Sequence, residues 1–165
     1  MIIDEFSMVY FQEVFKEAVT LKLPLVLEGG GLIGWYRNRK LIPYDLDLDG
    51  MLEDKYWGTP EYYNLMQRLA EKGFCVWYRA ATWTKIWSSV IGFDIQQSAV
   101  KGGRVYYMGR DWPAENIYPA NLTQLQGTGV MVPRMPVEYL NVYYGAGNWE
   151  NPLKCSRVAE RKCIE

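Results

Sequence analysis

The stretch over residues 25–49 constrains the fold of this chain more than any other part of the sequence. Leu25-Val26-Leu27 is a short apolar run that predicts a buried strand, and Gly29-Gly30-Gly31 breaks that strand. Residues 32–37 then predict a short helix. Farther on, acids alternate with apolar residues, which predicts a strand with an acidic face. The residues on that face are Asp45, Asp47 and Asp49.

The acidic face indicates a cation site. Asp47 and Asp49 lie two residues apart on the predicted strand, so their carboxylates point to one side, and Asp45 extends the row. Like charges so placed repel each other and raise a carboxylate pKa unless a cation lies between them. Hard divalent ions prefer oxygen ligands, and Mg²⁺ is typically held by one or two carboxylates together with substrate phosphates. We therefore expect Mg²⁺ or Mn²⁺ at this strand.

The glycine run and the basic residues after it predict a phosphate partner for that cation. Backbone N–H groups at a helix N-terminus can approach a phosphate closely, and the helix dipole favours the anion. A local cationic cluster of Arg37, Arg39 and Lys40 follows. Taken singly, each motif also fits a plain alternative: a solvated strand face, a glycine loop or a basic surface patch.

Composition excludes several classes of protein. A chain of 165 residues fits one domain, and a formal net charge of −1 gives no overall field that would attract nucleic acid or an anionic membrane. The chain contains no histidine, which removes Ser-His-Asp and Cys-His nucleophile systems and His-ligated zinc. Its cysteines are too few and too scattered to indicate a disulfide framework, although a pair between Cys155 and Cys163 stays open. No leader or membrane span is visible, so the compartment stays open: cytoplasmic by default, or Golgi and secretory if the chain is part of a longer protein.

The remaining sequence predicts three helices, three strands and one long loop. Apolar periodicity predicts a helix over Asp4–Leu23, and Thr59-Pro60 begins a second one that Gly73 ends. The stretches expected to form an antiparallel meander are Phe74–Arg79, Val90–Gln96 and Arg104–Met108. Asp111–Gly129 shows no clear period and is expected to be a loop, while Val137–Tyr144 is expected to be a last short helix.

The motifs around the glycines and the acids resemble the signature of a known family, that of LicD and fukutin-type proteins. They are Glu28-Gly-Gly-Gly-Leu-Ile-Gly-Trp-Tyr-Arg37 and Leu41-Ile-Pro-Tyr-Asp-Leu-Asp-Leu-Asp49. Val90-Ile-Gly-Phe-Asp-Ile95 is similar to the family's later acid-bearing strand, and the closing pattern includes Tyr139-Leu140, Tyr144-Gly145, Trp149 and Pro152. The chain departs from the pattern at two positions: Gly31 stands where the family usually has a hydroxyl, and Leu46 interrupts its run of aspartates.

The resemblance implies a fold of the α/β (α+β) class with a nucleotidyltransferase-like core, in which helices flank a mixed β-sheet. It covers residues 1–153 as one domain and leaves residues 154–165 as a C-terminal tail. It also implies roles for individual residues. The implied metal ligands and catalytic carboxylates are Asp47, Asp49 and Asp94, the last as ligand of a second metal or as general base. The implied contacts of the donor phosphate are Gly30, Gly31, Gly34 and Arg37.

The resemblance further implies a metal-dependent phosphotransferase. Such an enzyme would move a phosphocholine- or phosphopolyol-like group from a CDP-type nucleotide diphosphate donor to a hydroxyl of a glycan or polyol acceptor. Phosphoryl transfer relies on positioning and charge stabilisation, so a site without histidine is adequate for it. Two alternatives stay open: a non-catalytic nucleotide- or glycan-binding relative, motivated by Gly31 and Leu46, and a template-free nucleotidyltransferase. No nucleic-acid partner is expected from the charge balance.

Overall fold

A computed structural model describes residues 5–43, 45, 47–88 and 92–150. Its α-helices are α1 (Glu5–Thr20), α2 (Gly29–Asn38), α3 (Pro60–Glu71) and α4 (Pro136–Tyr144). Its strands are β1 (Val26–Glu28), β2 (Asp47–Glu53), β3 (Cys75–Ala80), β4 (Trp83–Trp87), β5 (Gly92–Lys101), β6 (Arg104–Tyr107), β7 (Arg110–Pro113), β8 (Asn121–Leu125) and β9 (Thr128–Val132). Two short 3₁₀ helices lie at Asp54–Tyr56 and Ala114–Asn116.

The strands form one mixed sheet with the order β3-β4-β5-β2-β1-β9-β8. Strands β2 and β5 are parallel, as are β1 and β9, and the other neighbours in this order are antiparallel. The hairpin of β6 and β7 continues from the end of β5. A mixed sheet with flanking helices is what the resemblance implied, so the expected fold class is confirmed.

One face of the sheet packs against α1 and α3 and holds a large part of the hydrophobic core. The Phe93 ring of β5 contacts Phe15 of α1 edge-on, with 5.4 Å between the ring centroids. On β4, the buried Thr84 shares a hydrogen bond of 2.5 Å with the Tyr62 hydroxyl of α3. Burying one large apolar side chain such as Phe93 contributes about 1.5–3 kcal/mol. Because side chains alternate along a strand, the residue after Phe93, Asp94, must lie on the opposite face.

Helix α2 begins at Gly29, so the glycine run is its first turn and not a break before it. Gly29 has φ of +59°, a conformation that glycine adopts without a steric penalty, and this residue turns the chain directly from β1 into the helix. The carbonyl of Ile42 accepts a hydrogen bond from the Asp45 amide at 3.0 Å, so Asp45 closes a turn before β2 begins. The acidic strand predicted from Asp45 is therefore confirmed only from Asp47 onward.

The helix over Asp4–Leu23 is confirmed as α1, and the Thr59 N-cap of α3 is confirmed by a hydrogen bond from the Tyr62 amide to Thr59 Oγ1. The long loop predicted over Asp111–Gly129 is wrong, because that stretch contains most of β7, all of β8 and the first residues of β9. These strands are four or five residues long and β8 is largely exposed, so they carry little hydrophobic alternation. Strand β4 was not predicted at all.

Some predictions fall outside the described residues. They concern Tyr44, Leu46, Val90, Pro152 and the tail over 154–165 with Cys155 and Cys163. Within the described part of the chain, the helices are too short or too polar to cross a bilayer.

Candidate functional site

Three acids lie side by side across the centre of the sheet. Glu28 at the end of β1 is the antiparallel partner of Asp49 on β2, and Asp49 is in turn the parallel partner of Asp94 on β5. Residues paired in this way project from the same face of a sheet. We call Glu28, Asp49 and Asp94 the acidic row; it lies on the face opposite the core of α1 and α3.

Asp49 is the centre of the row and carries the strongest electrostatic conflict. Burial and, after it, the nearby charges of Glu28, Asp47, Asp94 and Asp45 together raise the pKa of Asp49 to about 9. Within the described residues, no hydrogen-bond donor or cation contacts its carboxylate. The arrangement disfavours the ionised form of Asp49 unless an added positive charge lies beside it.

Asp94 is held by two donors from β4. It is 4% exposed, and it accepts hydrogen bonds from Trp83 Nε1 at 2.9 Å and from Lys85 Nζ at 3.0 Å. The same ammonium lies 3.4 Å from Asp47 Oδ1. Burial alone would lower the pKa of Lys85, but Asp94 and Asp47 outweigh it and raise that pKa. Lys85 therefore bridges two of the three predicted metal ligands.

The N-terminus of α2 lies against the acidic row. A Cβ atom added at Gly29 would lie 3.0 Å from Asp49 Oδ2, and one added at Gly30 would overlap the Asp45 carboxylate. The first N–H groups of a helix lack partners within the helix, and the Glu28 side chain does not cap this one. The structure therefore brings Gly29 and Gly30 together with the acids, with helix donors close to them.

The other residues predicted to touch phosphate lie elsewhere on α2 and contact the protein itself. A Cβ at Gly31 would lie 2.7 Å from Leu27 Cδ1, so this glycine packs on the sheet. A Cβ at Gly34 would overlap the Lys40 carbonyl oxygen of the returning chain. Arg37 Nη2 donates a hydrogen bond to the Trp149 carbonyl, and burial lowers the pKa of the Arg37 guanidinium. At 1.5 Å per residue, Arg37 lies about 10 Å along the helix from Gly30.

Sequence reasoning missed Glu28 as a member of the site. Glu28 is 1% exposed, and its carboxylate accepts hydrogen bonds from the hydroxyls of Tyr107 and, at 2.8 Å, Tyr139. Burial raises the pKa of Glu28 to about 7 despite both hydrogen bonds. The available signal was position: an acid at the end of a buried strand, directly before the glycines. Lys85 carried no comparable signal, because β4 itself was not predicted.

The carboxylate oxygens of the acidic row and its neighbours are suitable ligands for a hard divalent ion. The row and its neighbours offer only carboxylate oxygens, and Asp49 lacks a positive partner among the described residues. In residues 5–43, 45, 47–88 and 92–150, no group of three or more acidic or cysteine side chains already converges as a metal cage. The Lys85 ammonium lies between Asp47 and Asp94, so these two acids are held by the chain's own cation.

Comparison with known proteins gives a match to a family model. Residues 22–135, more than half of the chain, match the family model described as LicD/FKTN/FKRP, nucleotidyltransferase domain. No curated protein matches the chain.

Two solved structures share the fold. The crystal structure of ANT(2″)-Ia in complex with adenylyl-2″-tobramycin is 15% identical and covers 79% of this chain and 70% of its own, with a TM-score of 0.57. The solution structure of the antibiotic-resistance factor ANT(2″)-Ia is 16% identical and covers 86% of this chain and 73% of its own, with a TM-score of 0.61. At these identities the likeness shows a nucleotidyltransferase-like fold and nothing beyond it.

Proposed function

Since the chain belongs to the LicD/FKTN/FKRP family of nucleotidyltransferase domains, we propose that it is a metal-dependent phosphotransferase. It moves a phosphocholine- or phosphopolyol-like group from a CDP-type nucleotide diphosphate donor to a glycan or polyol hydroxyl. The observation that carries this proposal is the acidic row of Glu28, Asp49 and Asp94 in register beside the N-terminus of α2. In this proposal, the acidic row binds the cation, and the N-terminus of α2 binds the phosphate that the cation accompanies.

In this proposal, Asp47 and Asp49 hold Mg²⁺ or Mn²⁺, and Asp94 is the third carboxylate. An ion held there would supply charge neutralisation on the donor phosphate and Lewis-acid chemistry. A positive charge beside Asp49 relieves the repulsion that raises its pKa, so ion binding and ionisation of Asp49 favour each other. The first N–H groups of α2, around Gly29 and Gly30, donate hydrogen bonds to the donor phosphate.

The transfer step exchanges one phosphorus–oxygen bond for another. The acceptor hydroxyl oxygen forms a bond to the donor phosphorus that bears the substituent. The bond from that phosphorus to the bridging oxygen breaks, and cytidine monophosphate leaves. Asp94 accepts the proton of the hydroxyl as general base. Its hydrogen bonds from Trp83 and Lys85 hold the carboxylate in place on β5.

Calorimetric titration with CDP-choline and CDP-ribitol tests donor binding, with and without Mn²⁺. The wild type should bind one of them only when Mn²⁺ is present, and Asp47→Ala should abolish that binding. Asp54→Ala, which removes an exposed acid just beyond β2, is the control and should bind as the wild type does. A wild type that binds no CDP-linked compound under either condition would contradict the proposal.

A second candidate function is binding without turnover. The observation that favours it is Lys85, whose ammonium contacts Asp47 and Asp94 in the place of an external cation. Gly31, which lacks a hydroxyl, points the same way. Mass spectrometry of a glycan acceptor after incubation with the donor distinguishes the two, since only the enzyme adds the substituted phosphate.

A third candidate is template-free nucleotidyl transfer, favoured by the likeness to ANT(2″)-Ia bound to adenylyl-2″-tobramycin. It shares the carboxylates but uses a nucleoside triphosphate. Release of pyrophosphate from a nucleoside triphosphate in the presence of an acceptor would support this candidate over the phosphotransferase.

A further inference from the structure

Three tryptophans and two basic residues cover the outer part of the sheet face that carries the acidic row. We call Trp77, Arg79, Trp83, Lys85 and Trp87 the aromatic platform. Trp77 is 51% exposed and Trp87 is 45% exposed. Exposed tryptophans close together are unusual on a protein surface and commonly mark a place where a ligand or partner binds.

The platform is continuous with the acidic row. Trp77 on β3 pairs with Lys85 on β4, and Lys85 pairs with Asp94 on β5. Partners in register share a face, so a single line runs from Glu28 through Asp49 and Asp94 to Trp77. With neighbouring strands about 4.8 Å apart, Trp77 lies about 10 Å from Asp94. That span fits one sugar ring whose hydroxyl reaches the carboxylate.

Two polar groups of the platform, those of Trp83 and Lys85, contact acids of the site. Trp83 donates its indole N–H to Asp94, and the Arg79 guanidinium lies over the Trp83 ring at 4.0 Å. Lys85 is neutralised by Asp47 and Asp94. The Arg79 guanidinium lies 5.7 Å from the centroid of the Trp77 ring, and the Lys85 ammonium lies 5.7 Å from that of Trp87, while about half of each tryptophan stays exposed. Such rings present an apolar face and suit the C–H face of a pyranose, which keeps its hydroxyls at the edge.

The position of the platform argues for the acceptor over the donor. The N–H groups of α2 that are proposed to bind the donor phosphate follow β1. The platform lies on β3 and β4, on the far side of β5 in the strand order. A hydroxyl that attacks the donor phosphorus must approach from a side that the donor does not fill. Asp94, the proposed general base, stands between the two regions.

We infer that the aromatic platform is the acceptor subsite and takes a pyranose ring of a glycan by stacking on Trp77 and Trp87. This inference rests on the proposed function for its catalytic meaning. Glycan binding itself needs neither the metal nor the donor, and this independence allows a separate test.

The test measures glycan binding in the absence of metal and donor. Wild-type protein is applied to an array of immobilised glycans, and the strongest ligand is then titrated as a free oligosaccharide by tryptophan fluorescence. Trp77→Ala and Trp87→Ala are each expected to weaken binding about tenfold or more, as truncation of a central aromatic contact does. Tyr78→Ala is the matched control: Tyr78 is the next residue of the same strand and is 53% exposed, but it lies on the opposite face.

Tyr78→Ala should bind the glycan within about twofold of the wild type. All three variants should keep the circular dichroism spectrum of the wild type and the Mn²⁺-dependent binding of the CDP-linked donor. The inference is overturned if the wild type binds no glycan, or if Tyr78→Ala loses as much affinity as Trp77→Ala. Loss of donor binding in Trp77→Ala, with glycan binding intact, would also overturn it and assign the platform to the donor nucleoside.

The result separates this inference from the proposed function. If glycan binding depends on Trp77 while no CDP-linked compound binds, the acceptor subsite is supported and the phosphotransferase proposal fails. If the CDP-linked donor binds and no glycan does, the phosphotransferase proposal is supported and the acceptor subsite is overturned.

Discussion

Asp49 lowers the stability of the metal-free folded protein at neutral pH, although it is a ligand of the ion in the proposed function. Its carboxyl is partly buried between like charges, so its pKa rises from 3.8 to about 9. In the unfolded chain the group ionises near its ordinary pKa, whereas in the folded, metal-free chain it keeps its proton. Over the pH range between these two values the folded state binds more protons, so the stability that Asp49 contributes falls as pH rises.

We therefore predict that Asp49→Asn stabilises the metal-free protein at pH 8 by more than about 1 kcal/mol, because one pKa unit corresponds to about 1.4 kcal/mol. Near pH 3, below both pKa values, the advantage should vanish. Urea unfolding at several pH values in the presence of a chelator measures this. Equal slopes of stability against pH for the two proteins would show that Asp49 is not destabilised by burial and its neighbours.

Gly34 illustrates a glycine whose contacts are with the protein's own backbone. A Cβ at this position would overlap the Lys40 carbonyl and lie 3.1 Å from the Ile42 amide nitrogen, so backbone would have to shift. We predict that Gly34→Ala lowers the free energy of unfolding by about 1–3 kcal/mol. Gly129→Ala is the control, since its Cβ would meet Leu122 Cδ1 at an ordinary 3.6 Å. Equal losses of stability in the two variants, measured by thermal unfolding, would contradict the packing role of Gly34.

At the scale of elements, Glu28 ties three distant parts of the chain together. It ends β1, and its partners Tyr107 and Tyr139 come from β6 and α4. Both hydroxyls stabilise the buried Glu28 carboxylate, because their hydrogen bonds replace those that water makes to it in the unfolded chain. The hairpin of β6 and β7 and helix α4 are thereby held against the beginning of α2, where the proposed donor phosphate binds.

Removing one of these hydroxyls should therefore destabilise the fold. We predict that Tyr139→Phe costs about 1–3 kcal/mol, while the ring keeps its stacking on Trp112. Tyr143→Phe, one turn later on α4, removes a hydroxyl that contacts no hydrogen-bond partner among the described residues and should cost less than about 0.5 kcal/mol. Urea denaturation compares the pair. Similar losses in both variants would mean that the hydrogen bond to Glu28 contributes little.

Strand β4 supplies the cation that the acidic site already contains. Lys85 contacts both Asp47 and Asp94, so an incoming divalent ion competes with its ammonium for the same oxygens. We predict that Lys85→Met tightens Mn²⁺ binding about three- to tenfold, the equivalent of about 1 kcal/mol. Lys55→Met, which removes the ion pair with Glu53 at the other end of β2, should leave Mn²⁺ affinity unchanged. Weaker Mn²⁺ binding by Lys85→Met would show that the lysine supports the ion instead of competing with it.

At the scale of the whole molecule, the parts of the site that could be predicted are those encoded by neighbours in sequence. The alternation from Asp47 to Asp49 and the placement of the glycines next to β1 are local patterns, and the structure contains both. The start of α2 at Gly29 could not be predicted from the glycine run, because glycine normally interrupts a helix. Here the positive φ of Gly29 makes the connection that lets the helix start at once.

What could not be predicted depends on pairing between distant strands. The parallel register of β2 and β5 brings Asp49 beside Asp94, although 44 intervening residues separate them. Lys85 joins the site only because β4 pairs with β5, and a one-residue change of register would have sent its side chain to the other face. The partners of Glu28 are 79 and 111 residues away, so no local pattern indicates them.

The fold places the acidic row on one sheet face and the α1 and α3 helices with their core on the other. The proposed activity requires that the acidic row binds a divalent ion. Titration with Mn²⁺, followed by the electron paramagnetic resonance signal of the free ion, tests this most directly. We predict a saturable site in the wild type that Asp49→Asn and Asp47→Asn each abolish, while Asp54→Asn keeps it. A wild type that leaves the Mn²⁺ signal unchanged, or an Asp49→Asn variant that binds Mn²⁺ as tightly as the wild type, would contradict the account.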